Sequence, residues 1–389
     1  MIKQICISEL KVGHFVVNIA KQSAQYTLTS AGNIKSDRVI QNLLKKGVQQ
    51  VVIDTDKTLT FAQDQAEIAQ ESVNEHVTIQ AKDAKEIFSV SKEIQQKVFN
   101  DAAQGRPLDL SPVTEITDRV IEEIFKNPNA LASIINIRNK DEYLLEHSIS
   151  VSILITIFAK FLKLDKSIIQ QLAIGAFLHD VGKIMIPEEV LNKPGRLTED
   201  EFSIMKSHVT HSIDIIQHTP GISELSLEVA ALHHEKLNGQ GYPFNIPGDH
   251  ISTYGRMIAI CDIFDALTAA RCYKDGYSHG KAFAILKNLA DQQHLDASLV
   301  TKFIQCMGIY PVGTLVELNS GKVAIVEEKN EKDLLNPKVK IFYSAKHHHF
   351  VETKYIDLSQ SEDFIIKGIK ADDLDLDMHQ ITEQLITEG

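Results

Sequence analysis

The apolar run Leu172–Leu178, broken only by Gly175 and followed at once by His179-Asp180, constrains this chain more than any other segment. A run of that kind reads as a buried helix, so it carries an imidazole and a carboxylate into an interior. A His-Asp pair at a helix end is by itself commonly a cap and its neighbour. Burial changes the reading, because charged groups persist inside proteins only when paired or metal-bound. A carboxylate can bridge two cations while the adjacent imidazole binds one of them, each coordinating atom being deprotonated near neutral pH. Further candidate ligands follow at His208, His233-His234 and Asp262, with His147 upstream. The set holds imidazoles and carboxylates but no thiolate, which suits Fe, Mn or another first-row divalent ion. His233 and His234 are expected about 100° apart on a helix, one facing the ions directly and the other reaching them through a different rotamer.

With 389 residues, 43% of them hydrophobic, two or three domains are expected. A formal net charge of -12 argues against broad binding to DNA or to anionic membranes, while leaving room for a concentrated basic pocket. The start of the chain lacks a long apolar core or cleavage pattern, and no later stretch reads as a membrane span, so a cytoplasmic location is expected. Cys6, Cys261, Cys272 and Cys306 are scattered without a Cys-x-x-Cys pair, which suits reduced thiols.

The pattern along the chain divides it into a multidomain arrangement. Residues 1–60 alternate through Gly13–Val17 and Tyr26–Leu28, carry a helical pattern over Asp37–Lys46 stopped by Gly47, and return to a strand at Val48–Ile53, giving a small α+β module. Residues 61–111 are rich in Gln, Ala, Lys and Glu and predict a long linking helix ended by Gly105-Arg106-Pro107. Helical segments then dominate residues 112–308. Residues 309–370 alternate around Asn319-Ser320-Gly321 and predict a small β appendage, with His347-His348-His349 in a solvated strand or loop. Residues 371–389 read as an acidic tail.

Residues 112–308 resemble an HD-GYP domain, a branch of the HD metal-dependent phosphohydrolases. The resemblance is carried by His147-Ser148, His179-Asp180-Val181-Gly182-Lys183, Lys193-Pro194-Gly195 with Leu197-Thr198, and Met205-Lys206-Ser207-His208. It continues through His233-His234-Glu235, Gly239-Gln240-Gly241-Tyr242-Pro243, and the run Cys261–Thr268 leading to Arg271 and Lys274. Residues 1–60 resemble the uncharacterised domain that often precedes HD-GYP domains. The resemblance implies an all-α catalytic domain that hydrolyses cyclic dinucleotides, chiefly cyclic di-GMP, to linear pGpG and onward to GMP. It also implies a bridging role for Asp180, with His147, His179, His208, His233, His234 and Asp262 as the other ligands. Where family members with a third metal carry Glu, this chain has Tyr143, so two divalent ions are expected. Asn238 and Cys272 also depart from the family pattern, which bears on loop detail and substrate preference.

A pair of such ions activates water for attack on phosphorus and clamps a phosphate oxygen. Lys183, expected one helical turn from His179, is placed to offset charge in the transition state. Arg271 and Lys274 share a helical face and correspond to the family's phosphate-binding residues. Asp265, three residues after Asp262, is expected to orient a ligand or a basic residue. Glu235 reads as a salt-bridge partner, and Tyr242 as a contact for substrate or for a protein partner. Protein partners are expected at Gly241-Tyr242-Pro243 or at the N-terminal module, and a homodimer is open. Two alternatives stand beside cyclic di-GMP hydrolysis: hydrolysis of 3',3'-cyclic GMP-AMP, and a signalling adaptor that binds nucleotide without turnover.

Overall fold

The structure, a computed structural model, describes residues 2–11, 14–22, 31–34, 37–55, 57, 64–135, 143–269, 276–374, 376 and 381, with backbone alone at 33, 37, 38, 64–82, 143 and 372. The chain divides into two compact units, residues 1–79 and 80–388.

In the first unit β1 (Ile2–Cys6), β2 (Phe15–Gln22), β3 (Gly32–Asn33) and β4 (Val48–Asp54) form an antiparallel sheet in the order β1-β4-β2-β3, with α1 (Asp37–Lys45) between the last two strands in sequence. Alternation decides which side chains are inside: Val51 and Ile53 of β4 are buried with Ile5, Val16, Ile40 and Leu43 in one small core. The expected strand near Tyr26–Leu28 lies outside the described residues.

The long helix α2 (Asp64–Ala103) is followed by α3 (Leu110–Lys126), α4 (Pro128–Ile135), α5 (Tyr143–Phe161), α6 (Lys166–Leu178), the short α7 (Glu188–Leu191), α8 (Glu199–Gln217), α9 (Glu224–Leu232), α10 (Thr253–Thr268), α11 (His279–Asp291) and α12 (Ala297–Met307). Within the second unit Ile87, Phe88, Val98 and Phe99 of α2 join the core of this helical body. Side-chain caps start several of the helices. Thr198 and Glu201 close a reciprocal capping box on α8, while Ser223 and Ser252 cap α9 and α10. Lys193 binds both oxygens of Glu201 at 2.7 and 2.6 Å, tying the preceding loop to the start of α8.

Helix α5 departs from the sequence expectation. Its segment Leu144–Phe161 is long and apolar enough to cross a membrane, yet 78% of it is buried inside the protein. Its apolarity serves the core, where Ile149, Ile153, Leu154 and Phe158 are fully enclosed. Phe264 stacks on Phe283 at 5.3 Å and meets Phe303 edge-on at 5.1 Å, fixing α10 against α11 and α12.

The C-terminal strands β5 (Leu315–Leu318), β6 (Lys322–Glu328), β7 (Lys338–Ser344), β8 (His349–Asp357) and β9 (Ile365–Ile369) form an antiparallel sheet ordered β8-β7-β6-β5-β9. This is the expected β region, but it is built into the domain. Val316, Leu318, Ala324, Val326, Val339 and Ile341 belong to the helical core. Leu315, Val323, Ile325 and Phe342 form a second core with Ala371 and Ile381. Of the acidic segment 371–389, read from sequence as a marginal helix or a loose tail, the described part packs on the sheet through Ala371 and Ile381. His347, His348 and His349 are exposed in and beside the β7–β8 turn.

Candidate metal centre

Five helical segments converge on one buried polar cluster. His147 comes from α5, His179-Asp180 from the end of α6, His208 from α8, His233-His234 from the end of α9, and Asp262 with Asp265 from α10. Two expectations are corrected by local structure. Helix α6 ends at Leu178, and residues Val181–Met185 form a 3-10 turn, so Lys183 approaches from that turn. His233 caps α9 and His234 lies beyond it, so the pair straddles a helix end.

Close packing sets the position of the His-Asp turn. A Cβ on Gly182 would lie 2.1 Å from the His208 carbonyl oxygen and 2.4 Å from the Ser212 amide nitrogen, so only glycine lets the turn meet α8. The Gly182 amide donates to Ser212 Oγ at 2.8 Å, holding that contact.

Three of the imidazoles are oriented by the same device. His179, His208 and His233 each direct Nδ1 at the backbone carbonyl three residues earlier, Ala176, Met205 and Ala230, at 2.6 Å. A carbonyl only accepts, so Nδ1 carries the proton and Nε2 presents its lone pair inward. His147 is held by Asp265, whose Oδ2 accepts from Nδ1 at 2.7 Å. That bond leaves its Nε2 facing Asp262 Oδ1 at 3.0 Å and Asp180 Oδ2 at 3.4 Å.

The two oxygens of Asp180 face different imidazoles. Oδ2 lies 3.4 Å from the Nε2 atoms of both His147 and His179 and forms an ion pair with Lys183. Oδ1 lies 3.3 Å from His208 Nε2 and 3.9 Å from His233 Nε2. Asp262 divides similarly, with Oδ1 toward His147 and His179 and Oδ2 3.7 Å from His234 Nδ1. Potential ligand atoms accordingly fall into the groups His147–His179–Asp262, His179–Asp180–His233 and His208–His233–His234.

These residues fit divalent cations on their own chemistry. His179 Nε2 and Asp180 Oδ1 are buried without a hydrogen-bond partner among the described residues. The inward Nε2 atoms of His208 and His233 lie 3.4 Å apart, an arrangement of two lone pairs that a shared cation relieves. Burial pushes His208 and His233 down to about 4, and His234 well below its ordinary value, so all three are unprotonated near neutral pH. Burial alone would raise Asp180, but Lys183 and the surrounding imidazoles hold its carboxyl well below the usual range. Burial also works against a charged His147, yet Asp262 and Asp265 raise it to about 9.

The loop Gly239–Pro243 is fastened to the same cluster. Among the described residues Glu235 makes no salt bridge of the kind expected. Its buried carboxylate accepts from the amides of Phe244, Asn245 and Ile246 at 2.7, 3.1 and 3.3 Å. A Cβ on Gly241 would lie 2.4 Å from Glu235 Cα, so the two strands of the loop touch there. The Tyr242 amide donates to the His234 carbonyl at 3.2 Å, and its ring lies 4.6 Å from the His234 ring. Tyr242 therefore rests on an imidazole of the cluster. Burial raises its phenol, and the Asp262 and Asp180 carboxylates raise it further, so it stays neutral. Arg271, Cys272 and Lys274 lie outside the described residues, as does the side chain of Tyr143.

Residues 130–299 match the HD domain family, and residues 2–113 match a domain of unknown function, DUF3391. The cyclic di-GMP phosphodiesterase PA4108 of Pseudomonas aeruginosa is 30% identical over 377 residues, covering 93% of this chain and 90% of that protein. The chain belongs to the HD-GYP family of cyclic dinucleotide phosphodiesterases. A second relative, the 3'3'-cGAMP-specific phosphodiesterase 2 of Vibrio cholerae, is 46% identical over 102 residues, or 26% of this chain and 20% of that protein. Among solved structures, the HDG"Y"P protein Bd1817 of Bdellovibrio bacteriovorus is similar with a TM-score of 0.49 and 17% identity, covering 78% of this chain and 98% of that one. Within an HD-GYP enzyme, the Glu235 clamp and the three backbone-held imidazoles escape a reading of the sequence alone. Each depends on a carbonyl or amide, which every residue possesses. The one hint is the position of Glu235 directly after the His pair.

Proposed function

We propose that the chain hydrolyses cyclic di-GMP to linear pGpG, with the second linkage open to the same chemistry to give GMP, using two divalent ions of Fe or Mn. The observation that carries the reading is the division of Asp180, whose two buried oxygens face two separate groups of imidazoles. Tyr143 supports two ions over three. When bound, the ions supply activated water and neutralise phosphate charge.

The chain's own residues prepare that chemistry. The carbonyls of Ala176, Met205 and Ala230 fix the tautomers of three imidazoles before any ligand arrives, and Asp265 holds the ring of His147 in place. Lys183 places an ammonium beside Asp180, in position to donate to a phosphate oxygen as charge accumulates there. Arg271 and Lys274 are assigned to the remaining phosphate contacts. Tyr242, lying on His234, closes one side of the cluster and bounds the substrate space. The catalytic domain is assigned to residues 112–308 and the enzyme to the cytoplasm, with the N-terminal module as the input domain.

A second reading, 3',3'-cyclic GMP-AMP as substrate, is favoured by the identity to the cGAMP-specific relative. The two are separated by incubating metal-loaded protein with each ring and resolving products by chromatography. Faster formation of pGpG than of the GMP-AMP product supports cyclic di-GMP, and the reverse order replaces it. Binding of either ring without any product under reduced and oxidised conditions identifies a signalling adaptor.

A further inference from the structure

Phe202, near the start of α8, is 48% exposed. Its centre lies 6.4 Å from that of Tyr242, with the planes 82° apart. Tyr242 in turn lies 4.6 Å from His234 and 6.4 Å from His208. One unbroken line of rings therefore runs from the candidate ligands to solvent. Lys206, one turn further along α8, holds its ammonium 5.3 Å from the Phe202 ring centre. The ammonium lies over the ring, about half of which remains exposed.

We infer that Phe202 is the stacking platform for one purine base of the cyclic dinucleotide, the base standing outside the metal cluster while its phosphate lies within. The inference rests on the phosphodiesterase reading above. A nucleotide separates base from phosphate by a single ribose, and the step from His234 across Tyr242 to Phe202 spans a gap of that order. Every base offers a π face, so stacking here selects for a nucleobase without distinguishing guanine from adenine. Phe202 thereby accounts for recognition of a dinucleotide over a bare phosphodiester, leaving the choice between bases to other contacts.

The chain contains no tryptophan, which makes a direct test available. The full-length Phe202→Trp protein carries a single indole, and a stacked base quenches its fluorescence. Titration with a phosphorothioate analogue of cyclic di-GMP, which resists hydrolysis, should quench this emission saturably. The same titration of Phe125→Trp, at an exposed ring near the end of α3, should not. Steady-state kinetics give the second readout. Phe202→Ala should raise KM about 5- to 150-fold for cyclic di-GMP and for cyclic GMP-AMP alike, with wild-type metal content, and Phe202→Trp should restore it. Wild-type turnover together with an unquenched Phe202→Trp indole and an unchanged KM in Phe202→Ala overturns the platform alone. A wild-type protein that cleaves methyl 4-nitrophenyl phosphate but neither ring overturns the dinucleotide reading and the platform with it.

Discussion

Asp180 is the residue on which the account turns, because a single buried carboxylate faces two sets of imidazoles. Asp180→Ala or His179→Ala should abolish metal binding and turnover while the N-terminal unit stays folded, as read by metal analysis, activity and limited proteolysis. Full activity in a variant without metal would refute the mechanism. The surrounding imidazoles also set a pH dependence in metal-stripped protein. Unfolded histidines take up protons near pH 6.5, whereas His208 and His233 resist until about 4, so stability is lost as pH falls from 6.5 toward 4. His147 acts in the opposite sense. Its raised value of about 9 gives a contribution that is complete below pH 6.5 and lost as pH rises through 9. Melting temperatures of stripped protein should therefore peak near pH 6.5 and fall on both sides, and a flat profile between pH 4 and 9 would contradict these assignments. His179-Asp180 was legible from the apolar run that precedes it, and His147, His208, His233, His234 and Asp262 were legible as candidates through the HD-GYP motifs. Asp265 was legible as a group that orients a neighbour, and it holds His147; the carbonyls that hold His179, His208 and His233 were not legible, since every residue carries one.

Among the elements, the His-Asp turn and the loop after α9 set the shape of the cluster. Gly182→Ala would force a methyl group against the His208 carbonyl, costing about 1–3 kcal/mol through overpacking and weakening metal retention, both measurable by thermal unfolding and metal analysis. Wild-type stability there would show that α8 moves freely relative to the turn. Glu235→Ala would leave three loop amides without their acceptor, at roughly 1–3 kcal/mol for a buried unsatisfied group. Its expected signature is retained metal with raised KM, because Tyr242 loses its fixed place on His234. Helix α6 was readable from Leu172–Leu178, where uniform apolarity matches a fully buried element. The 3-10 turn that follows was not, because its geometry is imposed by the approach of α8 to Gly182.

In the molecule as a whole, an acidic chain is organised as an α+β unit and a helical unit that includes its own C-terminal sheet. The sheet was foreseen from alternation around Asn319-Ser320-Gly321, whereas its burial on both faces was not. Alternation assigns residues to faces without saying what covers each face, and the acidic composition of residues 371–389 concealed the apolar contact made by Ile381. Ile381→Ala should cost about 2–5 kcal/mol in denaturant unfolding, and no loss would mean that this segment does not cover the sheet. The central proposal, that Asp180 and the imidazoles around it would hold two divalent ions in a cyclic dinucleotide phosphodiesterase, is tested most directly by counting metal per chain in anaerobically purified protein while assaying cyclic di-GMP hydrolysis, beside Asp180→Ala. The account predicts two ions per chain with turnover in the wild type and loss of both in the variant. Turnover by metal-free protein, or by Asp180→Ala, would contradict it.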